Sequence, residues 1–467
     1  MDSSAELSFS VDTIRFDTVF TELGSATRIL KVYNTNKQPV SINKIALERG
    51  SASSFRINVD GIPTNEATDV EIAGNDSLYI FAEVTVDPDN PLSVSPYVIE
   101  ERIIVELNGV ERAVRLEAWG QNANYIPDRF SAGGGAFITC DMGEVVFDDP
   151  KPYVIYGALF VDSCTLNIPA GTEIYVHGGI VSNGILGEIY NDGYIIALPN
   201  GRLAIEGTAE EPVVIQGDRL EDSFQEVAGQ WGGIWLTRTS RGHKIEHTII
   251  KNARFGMIVD SSATLIIENS QIINAISSGI IGFHSRIKAE NCLFAGNGGN
   301  AAQLVYGGNY DFSYCTLASY GVDNSALFMS NVRCTDELQL CATRLGNDMN
   351  AQFKNSIIFG SRSDEIELQD FDDAAFNYNF ENCIVRVDDL VDEDDTPDFF
   401  DNCIPCLPSQ GESNVVLFTD PSENDYTLDS LSIADGFAES IFNLRTDILG
   451  VQRDANTPDA GCFERVE

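Results

Sequence analysis

Three short segments decide how this chain folds: Ile245-Glu246-His247-Thr248-Ile249-Ile250, Ile267-Glu268-Asn269-Ser270-Gln271-Ile272 and Ala289-Glu290-Asn291-Cys292-Leu293-Phe294. Aligned on Thr248, Ser270 and Cys292 they are offset by 22 residues each time, and the register continues 23 residues on at Phe312-Ser313-Tyr314-Cys315-Thr316-Leu317. It returns at Phe353-Lys354-Asn355-Ser356-Ile357-Ile358 and at Phe380-Glu381-Asn382-Cys383-Ile384-Val385. A repeat this short fits one winding of a solenoid, whose coils bury their apolar side chains only against each other. Within a copy the apolar residues alternate, as at Leu265 and Ile267, which is the period of a strand. Asn269, Asn291, Asn355 and Asn382 fall between the half-strands, where a sharp corner needs the left-handed backbone that Asn tolerates. His247 takes the same place. The expectation is a parallel β-coil with Thr248, Ser270, Cys292, Cys315, Ser356 and Cys383 stacked inside. A file of Ile250, Ile272, Phe294, Leu317, Ile358 and Val385 runs beside them.

Upstream of the repeat, glycine-cornered short strands such as Tyr153 to Val161, Thr165 to Ile174 and Gly201 to Thr208 read as earlier coils. Residues 1–124 read as a separate β-sandwich of immunoglobulin-like type, with strands at Leu7 to Phe16, Thr27 to Tyr33, Val40 to Leu47, Phe55 to Val59, Ser77 to Val86, Arg102 to Leu107 and Val110 to Trp119. Asn108-Gly109 is expected to be a two-residue hairpin turn. Residues 125–467 are then a right-handed parallel β-helix of roughly ten to twelve coils. It carries an acidic insertion near 386–425 and a tail from Tyr426 expected to cap the last coil. The fold class is all-β.

Composition narrows the partners. The 467 residues include 71 acidic and 29 basic side chains, a formal charge of −42, which repels nucleic acid and anionic lipid. No apolar run reaches the ~20 residues of a membrane-spanning helix. The start Met1-Asp2-Ser3-Ser4 shows no basic n-region or apolar h-region of an export signal. Among the ten cysteines, Cys334 with Cys341 and Cys403 with Cys406 are expected local disulfides, while Cys292 and Cys315 sit within reach of a bridge on neighbouring coils.

The set Pro169-Ala170-Gly171-Thr172, Asn200-Gly201-Arg202-Leu203, Glu206-Gly207-Thr208 and Gln230-Trp231-Gly232-Gly233-Ile234 resembles the right-handed parallel β-helix surface lipoproteins of Bacteroidota. Phe16-Asp17-Thr18-Val19-Phe20-Thr21 and Ala118-Trp119-Gly120-Gln121 resemble the sandwich domain that often precedes such a helix. Thr446-Asp447-Ile448-Leu449-Gly450 through Pro458-Asp459-Ala460-Gly461-Cys462 is similar to the end segment of many surface β-helix proteins. The resemblance implies export, an N-terminal lipid on a cysteine upstream of Asp2, and display at the outer membrane.

Parallel β-helices also include polysaccharide lyases and polygalacturonases, whose chemistry needs paired carboxylates or a calcium cage with a basic residue. The file Glu246, Glu268, Glu290 stacks carboxylates ~4.8 Å apart, close enough to perturb one another or hold a cation. Lys244 and Lys288 lie two residues earlier on the same face, which reads as charge balance. Trp231 and Trp235 could stack on a sugar ring or pack against the next coil. Gly282-Phe283-His284-Ser285-Arg286-Ile287-Lys288 resembles the histidine and Arg-Ile-Lys elements of polygalacturonases, yet no aspartate pair falls on regular neighbouring coils. Arg286 and Lys288 are therefore expected to decorate the outside. His177, His243 and His284 show no carboxylate partner at motif spacing. Asp392, Asp394 and Asp398 alternate like calcium ligands, but Pro397 stands where such a loop needs glycine. No cofactor is expected, calcium being the one ion for which these carboxylates offer ligands.

The expectation taken forward is a non-catalytic surface protein presenting its solenoid to a glycan or an envelope protein. A polysaccharide lyase or glycoside hydrolase is the alternative, and a subunit of an outer-membrane assembly a further one.

Overall fold

The computed structural model describes residues 6–20, 27–85, 97–127, 135–140, 143–178, 180–183, 188–191, 193–220, 224–335, 341, 343–392 and 415–465. Over these the chain is all-β, interrupted by a helical turn at Asp389–Asp392 and 3-10 turns at Gly50–Ala52 and Pro421–Glu423. It divides into two compact units, Met1–Asn124 with Leu220–Gln225, and Tyr125–Arg219 with Glu226–Glu467.

The N-terminal unit is built of two five-stranded sheets. One runs Leu7–Phe9, Arg28–Asn34, Asp76–Val84, Phe55–Val59, Ile62–Thr64, and the other Thr13–Phe20, Val110–Gln121, Tyr97–Leu107, Val40–Leu47, Glu66–Ile72. Alternate residues point inward, so Leu30, Ile80, Ile57, Ile42, Val105 and Leu116 close one common core. Asn108 and Gly109 have φ 53° and 78° and join Leu107 to its partner Val110, the two-residue turn expected of Asn-Gly. The run from Leu7 to Phe16 is not one strand. It breaks at Ser10, and its halves enter different sheets, Thr13–Phe20 lying parallel to Val110–Gln121. Glu66–Ile72 escaped sequence reading because it is an edge strand exposed on most of its length, so it lacks a continuous apolar file.

The larger unit is a parallel solenoid with three faces. Each coil supplies a strand to a first face, turns, supplies one to a second face, turns sharply, and supplies one to a third. The first two faces form one hydrogen-bonded sheet, because Ile280–Glu290 and Ala302–Ser313 run through their shared corner. The third is a ten-stranded sheet. From the fourth described corner between the second and third faces onward the turn is left-handed: His247, Asn269, Asn291, Tyr314, Asn355 and Asn382 have φ between 42° and 53°. Thr248, Ser270, Cys292, Cys315, Ser356 and Cys383 are all buried there. Their chemistry explains why small polar residues recur. Ser270 Oγ donates to Glu268 O at 2.7 Å and accepts from Thr248 N of the preceding coil at 3.0 Å, and Ser356 repeats this with Lys354 O and Cys315 N. One hydroxyl thus satisfies two backbone groups that the corner removes from the ladder. Cys292 and Cys315 are unbridged thiols, not a disulfide pair. Inside the second face, Phe312, Phe353 and Phe380 stack with centroids 5.2 and 4.8 Å apart.

Two features were not expected. A disulfide joins Cys140 to Cys164 on neighbouring coils. The tail, residues 415–465, lies along the outer side of the third face. There Leu293, Ala318, Ile357, Phe359 and Ile384 point outward and are buried under Leu417, Phe418, Ile448, Ala460 and Phe463. The reason is compositional. Earlier strands of that face turn Lys251 and Gln271 outward, whereas later ones turn out apolar side chains that must be covered.

Candidate functional site

The second face gathers the candidate carboxylates. Backbone pairing places Glu206, Glu246, Glu268 and Glu290 in one outward file, directly before the corner. Two residues upstream, Lys244 and Lys288 flank Ile266 in the neighbouring file. Lys244 Nζ lies 2.7 Å from Glu246 Oε2 and 3.5 Å from Glu268 Oε2, and Lys288 Nζ lies 2.8 Å from Glu290 Oε2. The corner shelters this end of the strands, leaving 25% of the Glu268 side chain and 8% of the Glu290 side chain accessible. Burial raises the Glu268 carboxyl above its ordinary range; Lys244 opposes this and the neighbouring Glu290 adds to it. Two carboxylates on adjacent rungs therefore share a site in which one holds its proton more tightly, while a lysine ion-pairs with the other. Sequence reading placed these residues together but took the lysines for charge balance alone, because burial at the corner is not visible in the repeat.

The remaining candidates separate. Trp231 is fully buried, its Nε1 donating to Lys251 O at 2.9 Å, so it is a packing residue and no platform for a sugar. Trp235 is 38% exposed on the first face, in register with Ile196 and Ile258. Ile287 points inward while Arg286 is exposed and Lys288 half-buried, the outward decoration expected. His243 is in the core, where burial pushes its pKa down to about 4 and Nδ1 accepts from Leu203 N. His177 does have a carboxylate partner, Asp218, at 2.7 Å from Nδ1, with the Tyr156 ring 4.8 Å from the imidazole. Their 41-residue separation hides the contact from motif spacing, since it spans coils of unequal length. Cys334 and Cys341 form a disulfide at the tip of an antiparallel hairpin, Val332–Cys334 with Arg344–Gly346, inserted between the first and second faces. Asp392 ends the helical turn; Asp394, Asp398, Cys403 and Cys406 lie outside the described residues. Among the described residues no group of three or more His, Cys, Asp or Glu is placed to hold a metal ion.

Residues 138–254 match the family model described as a pectate-lyase-like β-helix domain. No curated protein matches the chain. Among solved structures, it is similar to a family 123 glycoside hydrolase from Clostridium perfringens at 8% identity and TM-score 0.18, covering 42% of this chain and 48% of that one. It is similar to the Agl-KA catalytic domain at 15% identity and TM-score 0.24, covering 76% and 75%. It is also similar to the catalytic unit of a GH87 alpha-1,3-glucanase from Streptomyces thermodiastaticus at 10% identity and TM-score 0.18, covering 76% and 77%. At these values the likenesses carry no argument about this chain. The expectation of a non-catalytic display protein is corrected by the family match over residues 138–254, whose model is described as pectate-lyase-like. The display reading is dropped in favour of its alternative, and the chemistry has to come from this chain's own residues.

Proposed function

We propose that the larger unit is a polysaccharide-cleaving enzyme of the β-helix type, a glycoside hydrolase, working on the outward side of its second face. One observation carries this reading: Glu268 and Glu290 stand on adjacent rungs with unequal surroundings. Glycoside cleavage needs one carboxyl group that still holds a proton to give to the leaving oxygen, and one carboxylate that attacks or activates water. Glu268, its pKa raised by burial and by its neighbour, is the acid. Glu290, ion-paired with Lys288, is the carboxylate. Their carboxyl groups lie within hydrogen-bonding reach of each other, closer than the ~6.5–9.5 Å separation of inverting enzymes. The exposed Arg286 and the amides of Asn309, Asn350 and Asn377, aligned on the same face, provide hydrogen-bonding groups for a chain lying across several rungs.

The test is a panel of neutral and acidic polysaccharides, alpha-1,3-glucan among them, scored for reducing ends and for unsaturated products. Hydrolysis with retained anomeric configuration supports the assignment. Unsaturated ends would move it to a lyase, and no cleavage of any member would reject it.

The same reading carries a location. We place the protein outside the cytoplasm, as an outer-membrane lipoprotein of the Bacteroidota surface type whose N-terminal unit is immunoglobulin-like. The disulfides Cys140–Cys164 and Cys334–Cys341 support an oxidising compartment. Metabolic labelling with a radioactive fatty acid, followed by membrane fractionation, checks it; an unlabelled cytoplasmic product would overturn it.

A further inference from the structure

We propose that the N-terminal unit carries a separate binding pocket for an uncharged sugar, on the outward side of its first sheet. A cavity of about 610 Å³ opens there, within the ~300–1,000 Å³ of ordinary small-molecule sites. Strand register dictates what lines it. One row across the sheet is Ile29, Phe81, Asn58 and Pro63; the next is Glu83 beside Arg56, with Thr64 and Asn65 completing the rim.

Three properties of this lining identify the ligand class. Phe81 supplies an aromatic surface that continues into Tyr79, whose ring lies 6.4 Å away and only 17° out of parallel. Tyr79 is 38% exposed. Two near-parallel rings on an open sheet suit the flat C–H face of a pyranose. Asn58 lines the cavity, and although its Oδ1 atom is itself buried without a partner, its amide is the polar group set beside Phe81 for a ligand hydroxyl. Arg56 and Glu83, the charged residues of the lining, are cross-strand partners of opposite sign and cancel, while Lys31 borders the aromatic surface with Nζ 4.9 Å from the Tyr79 centroid. Together with the −42 of the whole chain that cancellation disfavours an anionic ligand. A peptide added as an extra strand is disfavoured too. The edge strand Ile62–Thr64 is three residues long and holds Pro63, which has no N–H to give to a ladder. What remains is a neutral oligosaccharide, stacked on Phe81 and Tyr79 and hydrogen-bonded to the Asn58 amide and the Arg56–Glu83 pair. The pocket is independent of the carboxylate pair in the larger unit.

The full chain is titrated calorimetrically with neutral oligosaccharides of glucose, xylose, mannose and N-acetylglucosamine. A galacturonic acid oligomer and an extended neutral peptide serve as contrasts. The expected result is saturable binding of at least one neutral oligosaccharide, weakened about tenfold or more in Phe81→Ala and also reduced in Asn58→Ala. Repeated in the Glu268→Gln background, where hydrolysis at the second face is removed, the titration should show the same dependence on Phe81, which separates this pocket from the second face. Unfolding curves confirm that Phe81→Ala remains folded, and Tyr79→Ala serves in its place if it does not. Absence of millimolar binding by every neutral oligosaccharide, preference for the acidic oligomer or the peptide, or undiminished binding in both pocket variants would overturn the proposal.

Discussion

Arg453 and Asn291 are 162 residues apart in sequence, yet Arg453 Nη2 donates to Asn291 Oδ1 at 3.0 Å. The guanidinium also donates to Gly461 O, Asp459 O and Glu464 Oε2, and its central carbon sits 4.0 Å from the centroid of the Tyr314 ring. Asn291 in turn donates to Thr446 O and Asn269 Oδ1. One buried charge thus ties the tail to two successive corners of the solenoid, immediately after Glu290 and Glu268.

Replacing Arg453 by Met would leave Glu464 and several carbonyls without their donor. A loss of about 3–5 kcal/mol is expected, the usual result of breaking a buried pair from one side. Tail residues 415–465 should then become cleavable by protease while the N-terminal unit stays intact. Arg453→Lys should rescue little, because an ammonium cannot reach four acceptors in one plane. Urea unfolding and mass spectrometry of limited digests report both effects.

Asn355 does two jobs that can be separated. Its φ is 53°, and its amide donates to Glu439 O at 2.7 Å and accepts from Glu439 N at 3.2 Å. Asn355→Ala should cost roughly 2–4 kcal/mol, from the left-handed backbone and two lost hydrogen bonds. Asn355→Gly, which removes only the hydrogen bonds, should fall between that variant and the parent in denaturant midpoint.

Glu365 gives a pH signature. It is fully buried, its oxygens accept from Ala326 N and Arg362 N, and burial pushes its pKa up to about 7 from an ordinary 4.5. The folded state therefore holds this proton after the unfolded chain has lost it. The stabilisation is complete below the unfolded pKa and lost as pH rises through the folded one. Between pH 4.5 and 7 the contribution should fall by about 3 kcal/mol. Glu365→Gln should flatten that slope in unfolding curves collected across the range.

Cys140 and Cys164 close a segment of 24 residues. By loop-closure entropy, replacing both with Ser should lower stability by about 3 kcal/mol, and reducing agent should lower the parent by about that much more than the variant, which keeps Cys334–Cys341. Thermal unfolding with and without reductant decides it.

The solenoid could be read from sequence because each corner of the repeat must solve the same two problems: a left-handed residue and two backbone groups without ladder partners. Asn269, Asn291, Asn355 and Asn382 mark the first, and Ser270, Cys292 and Ser356 the second. His247 and Tyr314 fill the same backbone position, which only the surrounding register reveals. Such spacing says nothing about what covers an outer face. The tail on the third face is held by contacts between residues 84 to 162 apart, such as Asn355 with Glu439 and Asn291 with Arg453. For Trp231, which its glycine-rich corner leaves as a sugar platform or as packing against the next coil, the structure takes the second: the ring fills the coil. The pairing of Cys140 with Cys164 lies in early coils that lack the 22-residue pattern, so no register pointed to it.

The account rests on Glu268 and Glu290 acting together on a glycosidic bond. The most direct measurement is the rate of reducing-end release from the best polysaccharide of the panel by the parent, Glu268→Gln and Glu290→Gln, at matched folded concentration. Each variant is predicted to lose at least about 10²-fold in kcat, with the acid limb of the remaining pH profile displaced in Glu268→Gln. Parent-like rates in both variants would contradict it.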